Sequence, residues 1–324
     1  NRKVGYALHE ICEGSVISNS IKCKLSPNQK PFFILAKRKE LVFFEITENG
    51  IHPLYKVPFT KTIVSLRVLT SISLGKPNGS DMIVVFFHDF SYIVFSDPKR
   101  IKYRYLPVET DEISNYICET HHKNPILFTL NKIGQLSFWS AIDKPNKVYN
   151  ISCPDQKIID LKFLPHQTIR LAMLTDTDAG SRCVKTFTFN RKLLILEELT
   201  RLCVNQLVDS TSSIIIPFSH GDHEKPVYLV LGTETITLVF KTGVVNVDSP
   251  FNGSPPQCFC ELGGWSSLVG TTSGSLFGLY FDNQFTIFKI CDIDILPTSI
   301  AKIDGNIFYI GSSYGDSVFA QISN

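Results

Sequence analysis

Apolar residues fall in short runs of four to eight, and Gly, Pro, Asn and Asp interrupt them at close spacing. No long stretch repeats at the 3.6-residue period of an amphipathic helix. Val, Ile, Phe, Tyr and Thr dominate the runs, and β-branched and aromatic side chains pack well on a pleated sheet. The pattern predicts an all-β chain. One layout recurs: an apolar strand, a tight turn and a second apolar strand. It is clearest in Phe308-Tyr-Ile-Gly-Ser-Ser-Tyr-Gly-Asp-Ser-Val-Phe319, and it returns at 268–277 and 229–238. Looser copies lie at 127–138, 84–94 and 33–42. A unit recurring every ~40–50 residues signifies a stacked array.

Seven groups of strands follow from this repeat, at about 21–57, 63–105, 116–152, 158–200, 207–248, 257–291 and 299–322. The seventh is short by one strand, while the apolar stretch Val4-Gly-Tyr-Ala-Leu-His9 belongs to no group. The expectation is a seven-bladed β-propeller of four-stranded antiparallel blades, closed by the N-terminal strand, which removes the open edges. In such an array the turn between second and third strands shares a face with the links between blades. That face would carry Arg38, Lys39, His88, Phe90, Asn131, Asp176, Asp178, Thr233, Ser273 and Tyr314, together with the links at 58–62, 107–114, 153–156 and 249–256. Phe90, Phe251 and Tyr314 are aromatic residues in turn or link positions, and they are the candidate partner-binding anchors.

Composition narrows the function classes. The 324 residues are 44% hydrophobic and 19% charged, with a formal charge of +2. A repeat-built β unit can reach that length as one domain. The balanced charge gives no electrostatic basis for reading nucleic acid, and the basic runs at 37–39 and 99–104 read as turns or protected strand edges. Nine cysteines, an odd number at irregular spacing and without Cys-x-x-Cys, point to a reducing compartment, cytosol or nucleus. The Asn-x-Ser sequons at Asn78, Asn150 and Asn252 read as chance in a chain without a secretory signal. No apolar run approaches the ~18–20 residues of a membrane span. The chain opens on Asn1 and stops within three residues of a strand, so 1–324 is expected to be a single propeller domain cut from a longer protein.

The search for catalytic or metal chemistry yields little. His220, Asp222, His223 and Glu224 have ligand chemistry but lack a partner pair, and they read as a polar loop. Asp176-Thr-Asp-Ala-Gly180 resembles the start of a calcium loop, but Phe187 stands where a ligating glutamate is needed, so a hairpin turn is expected. His121-His122 reads as polar surface. Cys258 and Cys260 alternate along a strand, which places both thiols on one face as buried or reduced groups. No nucleophile elbow or phosphate loop occurs. The reading is a non-enzyme with no cofactor and no metal.

Several segments carry a resemblance. They are the opening Tyr6-Ala-Leu-His-Glu-Ile-Cys-Glu-Gly-Ser-Val-Ile-Ser18, the hairpin at 33–51, the pair 159–164 and 184–187, and Ser299-Ile-Ala-Lys-Ile303 followed by Ile310-Gly-Ser-Ser-Tyr-Gly-Asp-Ser317. In these the chain is similar to the first propeller of the family of the UV-damaged-DNA-binding protein large subunit. Relatives of that family are the largest subunit of the cleavage and polyadenylation specificity factor and a large propeller subunit of the spliceosomal branch-site complex. The resemblance implies a scaffold, the first of three propellers in a cullin–RING ubiquitin ligase adaptor, and looks like a divergent fungal member acting in heterochromatin silencing or DNA replication and repair. It implies protein partners in the nucleus: a substrate receptor docked by the first and third propellers, and a cullin held by the second. No sequence-specific nucleic-acid contact and no membrane are expected. The alternative is the same scaffold in RNA processing, of the polyadenylation or splicing type. Gly311, Gly315 and Asp316 match the family motif. Their expected role is to shape the turn, with glycine supplying positive φ and Asp316 bonding backbone amides.

Overall fold

A computed structural model describes residues 16–28, 30–47, 50–70, 79–87, 91–95, 101–105, 117–120, 126–130, 135–140, 148–152, 157–166, 168–177, 179–190, 193, 195–218, 225–263 and 266–322. Over 91–105 (Ile93 apart) and 117–152 the description is of the backbone. The chain is all-β. Its described residues contain no α-helix and one 3-10 turn, η1 (Thr200–Leu202), so none of its helices is long and apolar enough to cross a membrane.

Seven antiparallel sheets follow one another along the chain, each a simple meander. Sheet 1 is β1 (Ile17–Cys23), β2 (Phe32–Lys37), β3 (Glu40–Thr47) and β4 (Gly50–Pro58). Sheet 2 is β5 (Ile63–Leu69), β6 (Met82–Phe87), β7 (Ser91–Phe95) and β8 (Ile101–Tyr105). Sheet 3 is β9 (Ile117–Thr120), β10 (Ile126–Leu130), β11 (Gln135–Ser140) and β12 (Val148–Ser152). Sheet 4 is β13 (Lys157–Leu164), β14 (Arg170–Asp176), β15 (Arg182–Asn190) and β16 (Ile195–Glu198). Sheet 5 is β17 (Ile214–Pro217), β18 (Tyr228–Leu231), β19 (Thr235–Phe240) and β20 (Gly243–Asp248). Sheet 6 is β21 (Pro256–Gly263), β22 (Ser266–Thr271), β23 (Ser275–Phe281) and β24 (Phe285–Asp292). Sheet 7 has three described strands, β25 (Pro297–Asp304), β26 (Ile307–Ser312) and β27 (Val318–Gln321). These sheets coincide with the seven groups expected from the sequence to within a few residues, except that β17 begins seven residues after the fifth group does. Residues 4–9, assigned to closure, lie outside the described residues.

Burial explains the apolar runs. The second strand of each well-described sheet is covered on both faces, as in β2, where all six residues are buried, and β18, where all four are. A strand buried on both sides loses the hydrophobic–polar alternation. The outer strands are wet: β20 has no buried residue and β4 none. The core is therefore a series of layers between sheets. One joins sheets 1 and 2 through Ile34, Phe43, Ile83 and Val85. Others join sheets 4 and 5, sheets 5 and 6 and sheets 6 and 7. A further layer joins sheet 7 to sheet 1, where Phe33, Tyr309 and Phe319 meet edge to face at centroid distances of 5.0 to 6.3 Å.

The first strands touch in series: β1 with β5, β5 with β9, β9 with β13, β13 with β17, β17 with β21, β21 with β25, and β25 with β1. Five of them, β1, β5, β13, β21 and β25, share an irregularity near their start, where one extra residue interrupts the pairing with the second strand. Such a bulge bends a strand and increases its local twist. A repeated bulge at one height turns each first strand relative to its sheet at the same place.

Candidate functional site

Two features could serve recognition: the face that gathers turns and links, and a central cavity. The turn between second and third strands is tied to the neighbouring link by backbone bonds. Phe59 and Ile63 N–H donate to Lys39 and Arg38 carbonyls at 2.7 and 2.8 Å. Ser249 N–H donates to Glu234 O, and Ile293 N–H to Gly274 O, both at 2.8 Å. Leu207 N–H reaches Arg182 O at 2.7 Å. Turns and links therefore share one face in sheets 1, 4, 5 and 6, as the repeat predicted.

The three aromatic anchors have different fates. Tyr314 is 81% exposed at the tip of the β26–β27 turn. Phe251 is not a surface anchor: it is 2% exposed and packs edge to face on Phe277 at 4.9 Å. The link curls inward there, with Ser254 N–H bonded to Phe251 O and the left-handed backbone of Asn252 at φ 52° making the bend. Burying the ring in the layer between sheets 5 and 6 removes it from water, which outweighs its position in a link. Phe90 lies outside the described residues, as do His88, Asn131, the His121-His122 pair and the loop at 220–224. Other exposed apolar residues were not foreseen. Val16 and Leu296 immediately precede the first strands of sheets 1 and 7, and Val208 lies in the link leaving sheet 4, at 47, 42 and 71% exposure. Val16, Leu296 and Tyr314 flank the meeting of sheets 7 and 1, because Ile17 and Pro297 start β1 and β25, and Tyr314 follows β26. Single exposed apolar residues carry little sequence signal, since their neighbours look the same whether they are buried or not.

The family-like turn is built differently from expectation. Neither Gly311 nor Gly315 has positive φ. Gly311 sits within β26 opposite Ser299, and a Cβ there would lie 2.6 Å from Ser299 Oγ and 2.9 Å from Ile17 Cγ2. Its role is close approach of β1, not turn geometry. Gly315 faces open space. Asp316 bonds no described residue. Serine hydroxyls do that work: Ser317 Oγ accepts from Ser312 N–H, and Ser312 Oγ accepts from Tyr314 N–H, both at 3.2 Å.

A second polar hub went unrecognised. The Asp209 carboxylate, 7% exposed, accepts hydrogen bonds from Thr211 N–H and hydroxyl at 2.7 and 2.5 Å, and from Glu234 and Thr235 N–H at 2.8 and 3.0 Å. Burial alone would raise its pKa, but the four donors outweigh it and hold the carboxyl below its ordinary range. The hub ties the link entering sheet 5 to the β18–β19 turn.

The cavity, about 520 Å³, is lined by the first strands of sheets 1, 2, 4, 5, 6 and 7. Arg67, Asp160 and Lys162 are its charged lining residues. Arg67 donates to Ser65 Oγ and Leu66 O, and Asp160 accepts from Ile215 N–H at 2.8 Å with Lys162 Nζ 3.4 Å away. Only the Asp160–Ile215 bond joins two strands, β13 and β17, while the Arg67 and Lys162 contacts named here stay within their own strands. In the Asp176 turn the Asp176 carboxylate pairs with Arg182 at 3.0 Å, and Asp178 lies outside the described residues. Cys258 and Cys260 both face sheet 7, while Phe259 between them faces sheet 5. Burial pushes the Cys258 thiol up to about 12 and raises Cys260 also, so neither is a thiolate near neutral pH. Cys23, Cys183, Cys203, Cys258, Cys260 and Cys291 form no disulfide, and among the described residues no group of three or more His, Cys, Asp or Glu gathers as a metal site. Compared with models of known protein families and with curated proteins, the chain matches none.

Proposed function

We propose that the seven sheets are the blades of one closed seven-bladed β-propeller, that residues 1–324 form this single domain, and that it is a non-catalytic protein-interaction scaffold. The observation that carries this reading is the serial contact of the first strands, which returns from β25 to β1. A ring of blades leaves turns and links on one broad face, and that face is where Tyr314, Val208, Leu296 and Val16 stand exposed. Exposed aromatic and aliphatic residues on a rigid face suit protein partners. The resemblance at 6–18, 33–51, 299–303 and 310–317 then points to the first propeller of a cullin–RING ubiquitin ligase adaptor in the nucleus, docking a substrate receptor in chromatin silencing or DNA replication and repair.

Affinity purification of the tagged protein from its own cells, followed by mass spectrometry, tests the reading. Recovery of a cullin and ligase subunits supports it. Recovery of a polyadenylation endonuclease or a spliceosomal ATPase instead moves the scaffold to RNA processing. The face is tested by Tyr314→Asp combined with Leu296→Asp. Partner recovery should fall at least about tenfold, the effect of removing one central hot spot, and undiminished recovery rejects this face.

A further inference from the structure

The turn that carries Tyr314 also fastens the last sheet to the first. Ser313 hydroxyl, at the start of that turn, donates to Ile17 O at 3.0 Å or to Thr298 Oγ1 at 3.2 Å. Thr298 hydroxyl in turn reaches Ile17 O and Gly311 O, each at 3.2 Å. Ser20 hydroxyl donates to Ser299 Oγ at 3.2 Å a little further along. Around Ser313 the polar contacts are between hydroxyls and carbonyls, while further along the junction the Lys22 ammonium donates to Ile303 O.

Two further observations set Ser313 apart from the other hydroxyls. It lies in an accessible turn, where Tyr314, Gly315 and Asp316 are all exposed. Asp316, three residues on, has a carboxylate that bonds no described residue, so the acidic group has no structural work in the turn. A serine followed at the third position by an exposed carboxylate is what acidophilic serine/threonine kinases read. The surroundings of Ser313 also settle the sign of a modification. The near acceptors are the Ile17 and Gly311 carbonyls. A phosphate there adds roughly two negative charges beside those carbonyl oxygens.

We infer that Ser313 is a phosphoacceptor site, and that phosphorylation by an acidophilic kinase loosens the junction of sheets 7 and 1. In the transfer, Ser313 Oγ attacks the γ-phosphorus of ATP, the bond to the ADP oxygen breaks, and the hydroxyl proton passes to the kinase's base. The product loses the donor to Ile17 O and sets a dianion beside two carbonyl oxygens and Asp316. The lost hydrogen bond and the repulsion from those oxygens favour release. This stands on the β25–β1 junction and not on the scaffold reading, so either can fail alone.

The test incubates the purified 324-residue protein with ATP and a kinase of the Ser-x-x-Asp class, then maps phosphate by tandem mass spectrometry and follows melting. Phosphate should appear on Ser313, and Asp316→Asn should slow its incorporation at least about tenfold, while Tm stays unchanged because Asp316 bonds no described residue. The phosphorylated protein should melt at least about 3 °C lower, with faster amide exchange confined to residues 17–23 and 297–304. Ser313→Ala should block incorporation and lower Tm by less than the phosphate does. Phosphate placed elsewhere with Ser313 untouched overturns the proposal. So does incorporation indifferent to Asp316→Asn, or a phosphorylated protein melting like Ser313→Ala.

Discussion

Asp209 and Gly232 show how closely a polar link can be fitted. A Cβ at Gly232 would fall 2.2 Å from Asp209 Oδ2 and 2.8 Å from Thr235 O. Gly232→Ala therefore forces the carboxylate out of its four hydrogen bonds, and a loss of roughly 1–3 kcal/mol is expected on chemical denaturation. In an Asp209→Ala background the clash with the carboxylate is gone, so the two effects should add to less than their sum. Asp209→Asn keeps the shape but weakens charge-assisted bonds, for about 1–3 kcal/mol. Its pH signature has a definite sign. The folded carboxyl is held below the ordinary 3.8, so at acid pH the unfolded chain takes up the proton first. Asp209 thus contributes stability in full above the unfolded value, and that contribution disappears as pH falls through the folded one. The Asn variant should lose less stability than the parent between pH 5 and 2, and equal losses would remove Asp209 as a source. None of this was visible in Leu207-Val-Asp-Ser-Thr211, because an Asp before Ser-Thr reads the same whether its carboxylate faces water or a buried turn. Phe251 erred the opposite way: position in a link suggested exposure, and packing on Phe277 decided otherwise.

At the scale of elements, strands were the legible part. A double-sided apolar run such as Phe32–Lys37 can hardly be anything but a central strand. The first-strand bulges were not legible, because a bulge changes pairing count and leaves side-chain chemistry unaltered: Ser18, Val64, Ile159, Gln257 and Thr298 have nothing in common. Links were legible as breaks and illegible as structure. The one after sheet 4 is an example. It runs through η1, pairs Val204 with Val184, and is pinned by Leu202 O, which accepts from the buried Tyr228 hydroxyl at 2.5 Å and from Thr186 at 2.9 Å. Burial raises the Tyr228 phenol well above its ordinary value, so it stays a donor across the physiological range. Tyr228→Phe removes the shorter bond while Thr186 retains the carbonyl. The expected cost is about 1 kcal/mol, read as a lower denaturant midpoint at unchanged slope. Tyr228→Phe with Thr186→Val leaves Leu202 O buried without a donor and should cost about 1–3 kcal/mol more.

For the whole molecule the question is what lies beside β27. Sheet 7 has three described strands where the other sheets have four. The neighbouring sheet 6 carries two exposed rings on that side. Tyr280 and Phe288, on the face of sheet 6 that looks toward sheet 7, remain 42 and 44% exposed, although their rings meet at 6.3 Å. The comparable aromatic on the outer strand of sheet 1, Tyr55, is partly buried against the layer with sheet 2 and stacks on Phe43 at 4.5 Å. A fourth strand on β27 would cover the two rings and pair the edge that no described strand pairs, and the apolar stretch at 4–9 is one short connection from β1. Deleting residues 1–10 should therefore uncover a strand edge as well as side chains. We expect a fall in Tm of at least about 10 °C, several times the ~2–4 °C that one kcal/mol moves a domain of this class. Ala in place of Val4, Tyr6 and Leu8 would keep the backbone and remove the apolar contacts, so it should fall between the parent and the deletion. Adding a synthetic peptide of residues 1–12 to the deleted protein should restore part of the loss in proportion to its concentration, as a ligand that binds only the folded chain does. A deleted protein that melts like the parent, with no response to peptide, would mean that the ring closes without this strand.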